Sequence, residues 1–210
     1  MAVMSRSLFS ANEFRRRATR QDPIRHDDDY GDHRLNPDFR EMFVRKQLRD
    51  AAVLIPVVDR GSEATILLTK RAEALRNHSG QVAFPGGRID PQDASVEDAA
   101  LRETMEEVGL VRDSIDVVGR LPDYVSGSGY RIAPVLGVVR PDFSLIINPH
   151  EVDSVFEVPL RFLMDPANHT RDSRIWEERE RFFYRMPYED WMIWGVTAGI
   201  IHALYERLYA

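Results

Sequence analysis

The sequence contains no cysteine. That absence excludes a disulfide framework, a thiolate zinc site and a cysteine nucleophile together, and it fits a reducing, cytoplasmic compartment. Also missing is any uninterrupted apolar run of the roughly 18–20 residues that a membrane span requires. The most apolar stretch, Trp191 to Leu204, is broken by Gly195 and Gly199 and carries His202, so it is expected to be a buried helix that begins near Trp191 and runs to about Leu208. A surplus of positive charge is lacking too. The net charge is −6, and nothing supplies the continuous basic surface of a nucleic-acid binder. Acidity does not exclude an anionic small substrate, because carboxylates accept phosphates through metal ions.

With 210 residues, 43% of them apolar, the chain can build one sizeable core and little more. Its first twenty residues set Arg6, Arg15, Arg16, Arg17 and Arg20 against a single acid, Glu13. We read them as a basic amphipathic arm whose Leu8, Phe9 and Phe14 touch the body, in preference to an organelle-targeting segment. From Gln21 to about Pro37 the chain is polar and holds the run Asp27, Asp28, Asp29, which predicts an irregular connector. Residues 1–37 are thus expected as arm and connector, and 38–210 as one domain.

Within that domain a helix is expected over about Asp38–Arg49. Ala51–Val58 and Thr65–Thr69 read as a hairpin around Gly61–Ser62, and Gln81–Phe84 as a short strand before Pro85–Gly86–Gly87. Ile115–Leu121, Arg131–Val139, Phe143–Ile147 and Val152–Val158 read as further strands. Arg161–Met164 begins a short helix, and Ile175–Tyr188 reads as a strand pair. Strands and helices interleave without regular alternation, which predicts a mixed α/β sandwich.

The chemistry concentrates on Ser95–Gly109. Ser95 with Asp98 resembles a capping box, and Gly109 stands where a left-handed terminal residue is expected. At about 100° per residue, Leu101, Met105 and Val108 share an arc expected to face the core. Glu103, Glu106 and Glu107 share another arc, with Ala99 and Ala100 one turn earlier leaving room for a close approach. Like charges at these spacings repel, and a Mg2+ or Mn2+ ion reverses the sign because hard cations favour carboxylate oxygen. Taken alone, the cluster is equally well a solvated acidic face.

The flanking residues decide between the two. Gly86–Gly87, Arg102–Glu103, Glu106–Glu107 and Gly109–Leu110 resemble the Nudix hydrolase box, whose second half matches from Arg102 through Leu110. The first half departs, with Ala94 where the box has glutamate and Asp93 as the nearest acid. The segment Leu67–Gly87, reading LLTKRAEALRNHSGQVAFPGG, resembles the signature upstream of the box in the coenzyme A diphosphatase branch. That branch also has aspartates like Asp90 and Asp93, a Ser-Gly loop like Ser126–Gly127, an Asn-x-x-Glu-Val segment like Asn148–Val152 and a helix start like Trp194–Ala198.

The resemblance covers about Ala51 to Leu204 and implies a Nudix-like α/β/α sandwich with a mixed β-sheet. It implies metal-dependent hydrolysis of coenzyme A or acyl-coenzyme A at the diphosphate bond. ADP-ribose, NADH or another nucleoside diphosphate derivative is the alternative substrate, and a non-catalytic binding module the alternative function. Glu103 and Glu107 are the implied ligands of Mg2+ or Mn2+, joined by Glu106 and the carbonyl of Gly87. The general base is left open between Glu106 and Glu151. Arg71, Arg76 and His78 are candidate substrate contacts, and Arg102 is expected to turn away from the metal face and pair with Asp93. The Ser126–Gly129 loop is either a wall for the pantetheine arm or a plain hairpin turn. A small-molecule nucleotide is the expected partner, with neither nucleic acid nor membrane, and a homodimer is compatible with the sequence.

Overall fold

Continuous apolar strands need cover on both faces, and the core follows from that requirement. The computed structural model describes residues 7–25, 28–37, 48–75, 78–176 and 178–210. Strands β1 (Tyr30–Gly31), β2 (Arg49–Asp59), β3 (Ala64–Arg71), β4 (Val82–Ala83), β5 (Gly86–Arg88), β6 (Ile115–Arg120), β7 (Tyr124–Val125), β8 (Tyr130–Val139) and β9 (Val152–Pro159) form a mixed sheet. A second, antiparallel sheet holds β10 (Thr170–Trp176), β11 (Arg179–Tyr188) and β12 (Trp191–Trp194). The described helices are α1 (Ala11–Arg20), α2 (Val96–Val108), α3 (Leu160–Leu163) and α4 (Gly195–Leu208).

Period-two alternation divides each central strand between two cores. Ala52, Leu54 and Val58 of β2, with Ala133, Val135 and Val139 of β8, lie under α2. Ala51, Ile55 and Val57 of β2, with Leu136 and Val138 of β8, face α1, α4 and the second sheet. The result is the expected α/β/α layering around a mixed sheet. β2 and β8 run parallel from Arg49↔Tyr130 to Val58↔Val139. The expected hairpin forms, but β2 and β3 pair only over Val57–Asp59 and Ala64–Ile66 before parting. Into the gap runs the chain from Val82 to Arg88: β4 pairs with Thr69 and Lys70 of β3, and β5 with Ala51–Val53 of β2. This parted hairpin positions the site.

Several expectations are corrected. The helix expected over Asp38–Arg49 falls mostly on 38–47, outside the described residues, and Arg49 already belongs to β2. Trp191–Trp194 is strand β12 and not helix, because Gly195 at φ +62° turns the chain from strand into α4. Phe143–Ile147 forms no strand. The connector is partly built in: β1 pairs parallel to β7, and the turn Asp32–Arg34 buries His33 and half-buries Asp32. Its carboxylate accepts the Tyr124 hydroxyl at 2.6 Å and the Gly127 N–H at 2.7 Å. Burial nonetheless raises its pKa above the usual carboxylate range.

Phe14 on α1 is fully buried, and Arg17 donates to the Leu208 carbonyl at the end of α4, 2.7 Å away. Glu13 accepts from Arg16 and Arg17, and these bonds, Arg16 first, hold its pKa down to about 2. A lowered acid stabilises the fold fully above its ordinary value and loses that contribution as pH falls through about 2. With Arg16 half exposed, we expect Glu13→Gln to cost about 1–2 kcal/mol at pH 7. Urea unfolding at successively lower pH should show the gap to wild type closing.

Candidate active site

Both ends of α2 are set by local chemistry. The Ser95 hydroxyl accepts the Asp98 N–H at 3.1 Å, and Gly109, at φ +70°, closes the last turn on the Met105 carbonyl. The helix is rotated about its axis relative to the sequence expectation, by about a quarter turn. Met105 is 47% exposed, whereas Glu107 is only 2% exposed and Thr104 is fully buried. The cause lies in the small side chains. Ala99 and Ala100 pack flat against Ala52, Leu54, Ala133 and Val135, which draws the flank carrying Glu103 and Glu107 down toward the sheet. The close approach that these alanines permit is made by the protein's own strands.

What receives the carboxylates is the Gly86–Gly87 step in the parted hairpin. The Gly86 N–H donates to Glu107 Oε2 at 3.0 Å. A Cβ on Gly87 would stand 2.4 Å from the Glu103 carboxyl carbon, so the Glu103 carboxylate rests directly on that glycine. Arg71, at the end of β3, brings Nη1 to 3.5 Å from Glu107 Oε1. Its Nε is buried without a hydrogen-bond partner. The contribution of Gly86 was not anticipated from the sequence, although its neighbour Gly87 was named.

The chain after β8 completes the site. The last carbonyls of a helix lack intrahelical donors, and here the Ile146 N–H takes that of Val108 and the Asn148 N–H that of Glu107, each at 2.9 Å. This docking takes the Ile146 N–H, a group that a strand over Phe143–Ile147 would have needed, and ties down the chain just beyond it at Asn148. Asn148 then bends the chain, its carbonyl accepting from Glu151 and Val152. Its side-chain amide donates to Glu151 Oε1 at 3.3 Å. The Glu151 carbonyl accepts the Ala72 N–H at 2.9 Å, which fixes Glu151 beside the end of β3.

Three carboxylates therefore share a poorly solvated corner. Burial above all raises Glu107 to about 7, and Glu151 and Glu103 push it further against the opposing Gly86 N–H and Arg71. Glu103 is raised as well, by burial first, with Glu106 and Glu151 adding to it. Glu106 is exposed. Among the described residues no three such groups are already drawn into a cluster. Glu103 and Glu107, two hard oxygen donors withdrawn from water side by side, are nevertheless suited to a hard divalent cation.

Arg102 grips Asp93 with two bonds, Nε to Oδ1 at 2.8 Å and Nη2 to Oδ2 at 2.9 Å, and also donates to the Arg88 carbonyl. It does not turn away from the acidic face. Its Nη1 reaches Glu103 at 3.0 Å and Glu106 at 3.2 Å, so one planar group aligns the loop and two of the glutamates. A lysine cannot reproduce that fork. We expect Arg102→Lys to lower kcat/KM about tenfold, the loss of one or two charge-assisted bonds, in steady-state assays.

The remaining candidates are dispersed. His78 is exposed, at φ +56°, with its ring 2.9 Å from Gln81 Oε1. Arg76 lies outside the described residues. The Ser126–Gly129 loop is a tight turn, with the Ser126 N–H on the Tyr130 carbonyl and the Tyr130 N–H on Ser126 Oγ.

Residues 48–192 match the family described as the NUDIX domain. The chain is similar to the uncharacterized Nudix hydrolase NudL of Photorhabdus laumondii, 43% identical over 162 residues, which are 76% of this chain and 85% of that protein. Its likeness to the uncharacterized Nudix hydrolase NudL of Cronobacter sakazakii is 45% over 157 residues, 74% and 81% of the two chains. Among solved structures, the NUDIX domain of Shewanella oneidensis NrtR, complexed with ADP ribose, aligns at TM-score 0.49 and 17% identity. That alignment covers 82% of this chain and 97% of the other.

Proposed function

The chain belongs to the Nudix hydrolase family, and from that premise we propose that it hydrolyses the diphosphate bond of coenzyme A or an acyl-coenzyme A. The products are 3',5'-ADP and 4'-phosphopantetheine or its acyl form. One observation carries the reading. Arg71, which belongs to the Leu67–Gly87 segment, stands 3.5 Å from Glu107 of the acidic helix. The segment tied to the substrate and the helix tied to the reaction thus meet at one point.

Nudix hydrolases generally use divalent metal ions. In this chain Glu103 and Glu107 would hold Mg2+ or Mn2+, with Glu106 and the Gly87 carbonyl as further oxygen donors. Bound there, the ion supplies charge neutralisation for the diphosphate oxygens. Arg71 is the cation on hand for a phosphate oxygen, and a guanidinium serves that role in two-point fashion. Glu151 is the general base of this reading. It lies in the same corner as Glu103 and Glu107, whereas Glu106 is engaged by Arg102. The Glu151 carboxylate takes one proton of the attacking water, whose oxygen bonds to one phosphorus as that atom's bond to the bridging oxygen breaks and the bridging oxygen leaves with the other phosphate. The substrate is a soluble cofactor, so the reading places the enzyme in the cytoplasm; among the described residues no helix is long and apolar enough to cross a membrane.

The test is a panel of coenzyme A, acetyl-coenzyme A, ADP-ribose and NADH, with Mg2+ and with Mn2+, and products identified by mass. A kcat/KM for coenzyme A at least about tenfold above the others is expected, a discrimination of roughly 1.4 kcal/mol. Preference for ADP-ribose or NADH would overturn the substrate and leave the reaction standing. No turnover of any diphosphate would overturn both.

A further inference from the structure

β10 is the outer strand of the second sheet. β11 lies along one edge, and among the described residues no strand pairs with the other. An unpaired edge is a template for a further strand, and this one carries exposed apolar residues, Ile175 at 74% and Trp176 at 54%. Which backbone groups face outward can be read from the bonds. Ser173 stands opposite Phe182, yet the Phe182 N–H and carbonyl are both engaged by the Asn36 side chain, at 2.8 and 3.0 Å. The Ser173 N–H goes to its neighbour Asp172, at 2.8 Å. Ser173 and Phe182 therefore bond away from each other, and alternation turns the N–H and carbonyl groups of Arg171, Ser173 and Ile175 to the free edge.

The strand Thr170-Arg-Asp-Ser-Arg-Ile-Trp176 is complementary to itself reversed. About a two-fold axis at Ser173, Asp172 stands opposite the partner's Arg174, and Arg174 opposite the partner's Asp172. Adjacent registers fail. Sliding by two residues sets either Asp172 opposite its own copy or Arg174 opposite its own copy, and like charges directly opposite destabilise a strand pair. We propose that β10 pairs antiparallel with β10 of a second copy of this chain, in the register centred on Ser173.

The side chains favour this occupant. Arg171, whose guanidinium lies 4.2 Å from the Phe182 ring, faces the partner's Ile175 with its aliphatic stem. The Asp172 carboxylate already lies over the edge. Pairing hands the Ser173 N–H to the partner's carbonyl and leaves that carboxylate between Arg185, at 3.2 Å, and the partner's Arg174. A seven-residue strand pair is a small interface, so the dimer is weak and dissociates on dilution.

Sedimentation of the full chain over a concentration series tests this. Wild type is expected to dimerise, and Arg174→Asp and Asp172→Arg are each expected to raise the dissociation constant at least about tenfold by setting like charges across the axis. An equimolar mixture of the two variants should form a heterodimer, because an acidic strand then faces a basic one. Circular dichroism and unchanged diphosphate turnover report that each variant is folded. Should Asp172→Arg fail to fold through loss of its ion pair with Arg185, Arg174→Asp decides alone. Wild type that stays monomeric to about 1 mM, or a dimer indifferent to Arg174→Asp, overturns the proposal.

Discussion

Glu107→Gln is expected to lower kcat by about two to three orders of magnitude, the usual cost of removing one group that stabilises charge at the reacting centre. Measured without divalent ions at pH 8, the same variant should be more stable than wild type. The two effects have one origin. Glu107 is buried in the company of Glu103 and Glu151, and its pKa is raised from 4.5 to about 7. For an acid raised in this way, the native state is favoured below pH 4.5 and loses that advantage as pH rises through 7, reaching a few kcal/mol when the carboxylate is fully charged. A glutamine is neutral throughout and can still accept the Gly86 N–H. Thermal melts in chelator should therefore show the variant ahead at pH 8 and level with wild type below pH 4.5. Excess Mg2+ reverses the order at pH 8, because the ion stabilises only the protein that binds it. Unchanged turnover would remove Glu107 from the active site, and a variant less stable at pH 8 in chelator would contradict the electrostatic account.

The second large effect separates two adjacent glycines. Gly87→Ala should lower kcat about a hundredfold while changing stability by less than about 1 kcal/mol. The atoms nearest its Cβ would all belong to the end of the Glu103 side chain, at 2.4 Å for Cδ and Oε2, and that flexible group swings out of position instead of the backbone. Gly86→Ala acts on the fold. There φ is +151°, and a Cβ would fall 2.4 Å from the Ala52 carbonyl oxygen and 2.6 Å from the Val53 Cα, inside the β2–β5 pairing. Strain and lost pairing together should cost about 3 kcal/mol or more. Urea unfolding and steady-state kinetics on the two proteins give the contrast. Equal losses of stability would mean that Gly87 is not a seat for Glu103.

Local signals carried most of the element map. The helix ends at Ser95 and Gly109, the hairpin at Gly61 and the buried strands of β2, β3, β8 and β9 were all legible, because each depends on residues near in the chain. Failures occurred where a distant backbone took the groups that local pattern had allotted. Phe143–Ile147 had the composition of a strand, but its Ile146 amide, with that of Asn148 just beyond, caps a helix formed about forty residues earlier. Trp191–Trp194 was as apolar as the helix that follows, yet it pairs with β11. Met105 fits a helical stripe and still faces solvent, since the stripe's orientation depends on Ala99 and Ala100 meeting particular strands.

Of the acidic helix, the sequence by itself determined the length, the caps and the identity of its three glutamates, because helix geometry and capping are local. It also determined that no thiol takes part, since the chain has none. Only the tertiary structure decided which glutamates are withdrawn from water. Glu103 and Glu107 are drawn onto Gly86–Gly87 while Glu106 remains outside, and Glu151 and Arg71 join them from elements far along the chain. The reason is that a pKa depends on burial and on charges close in space, and the β2–β3 hairpin must part before there is any place where those groups can meet.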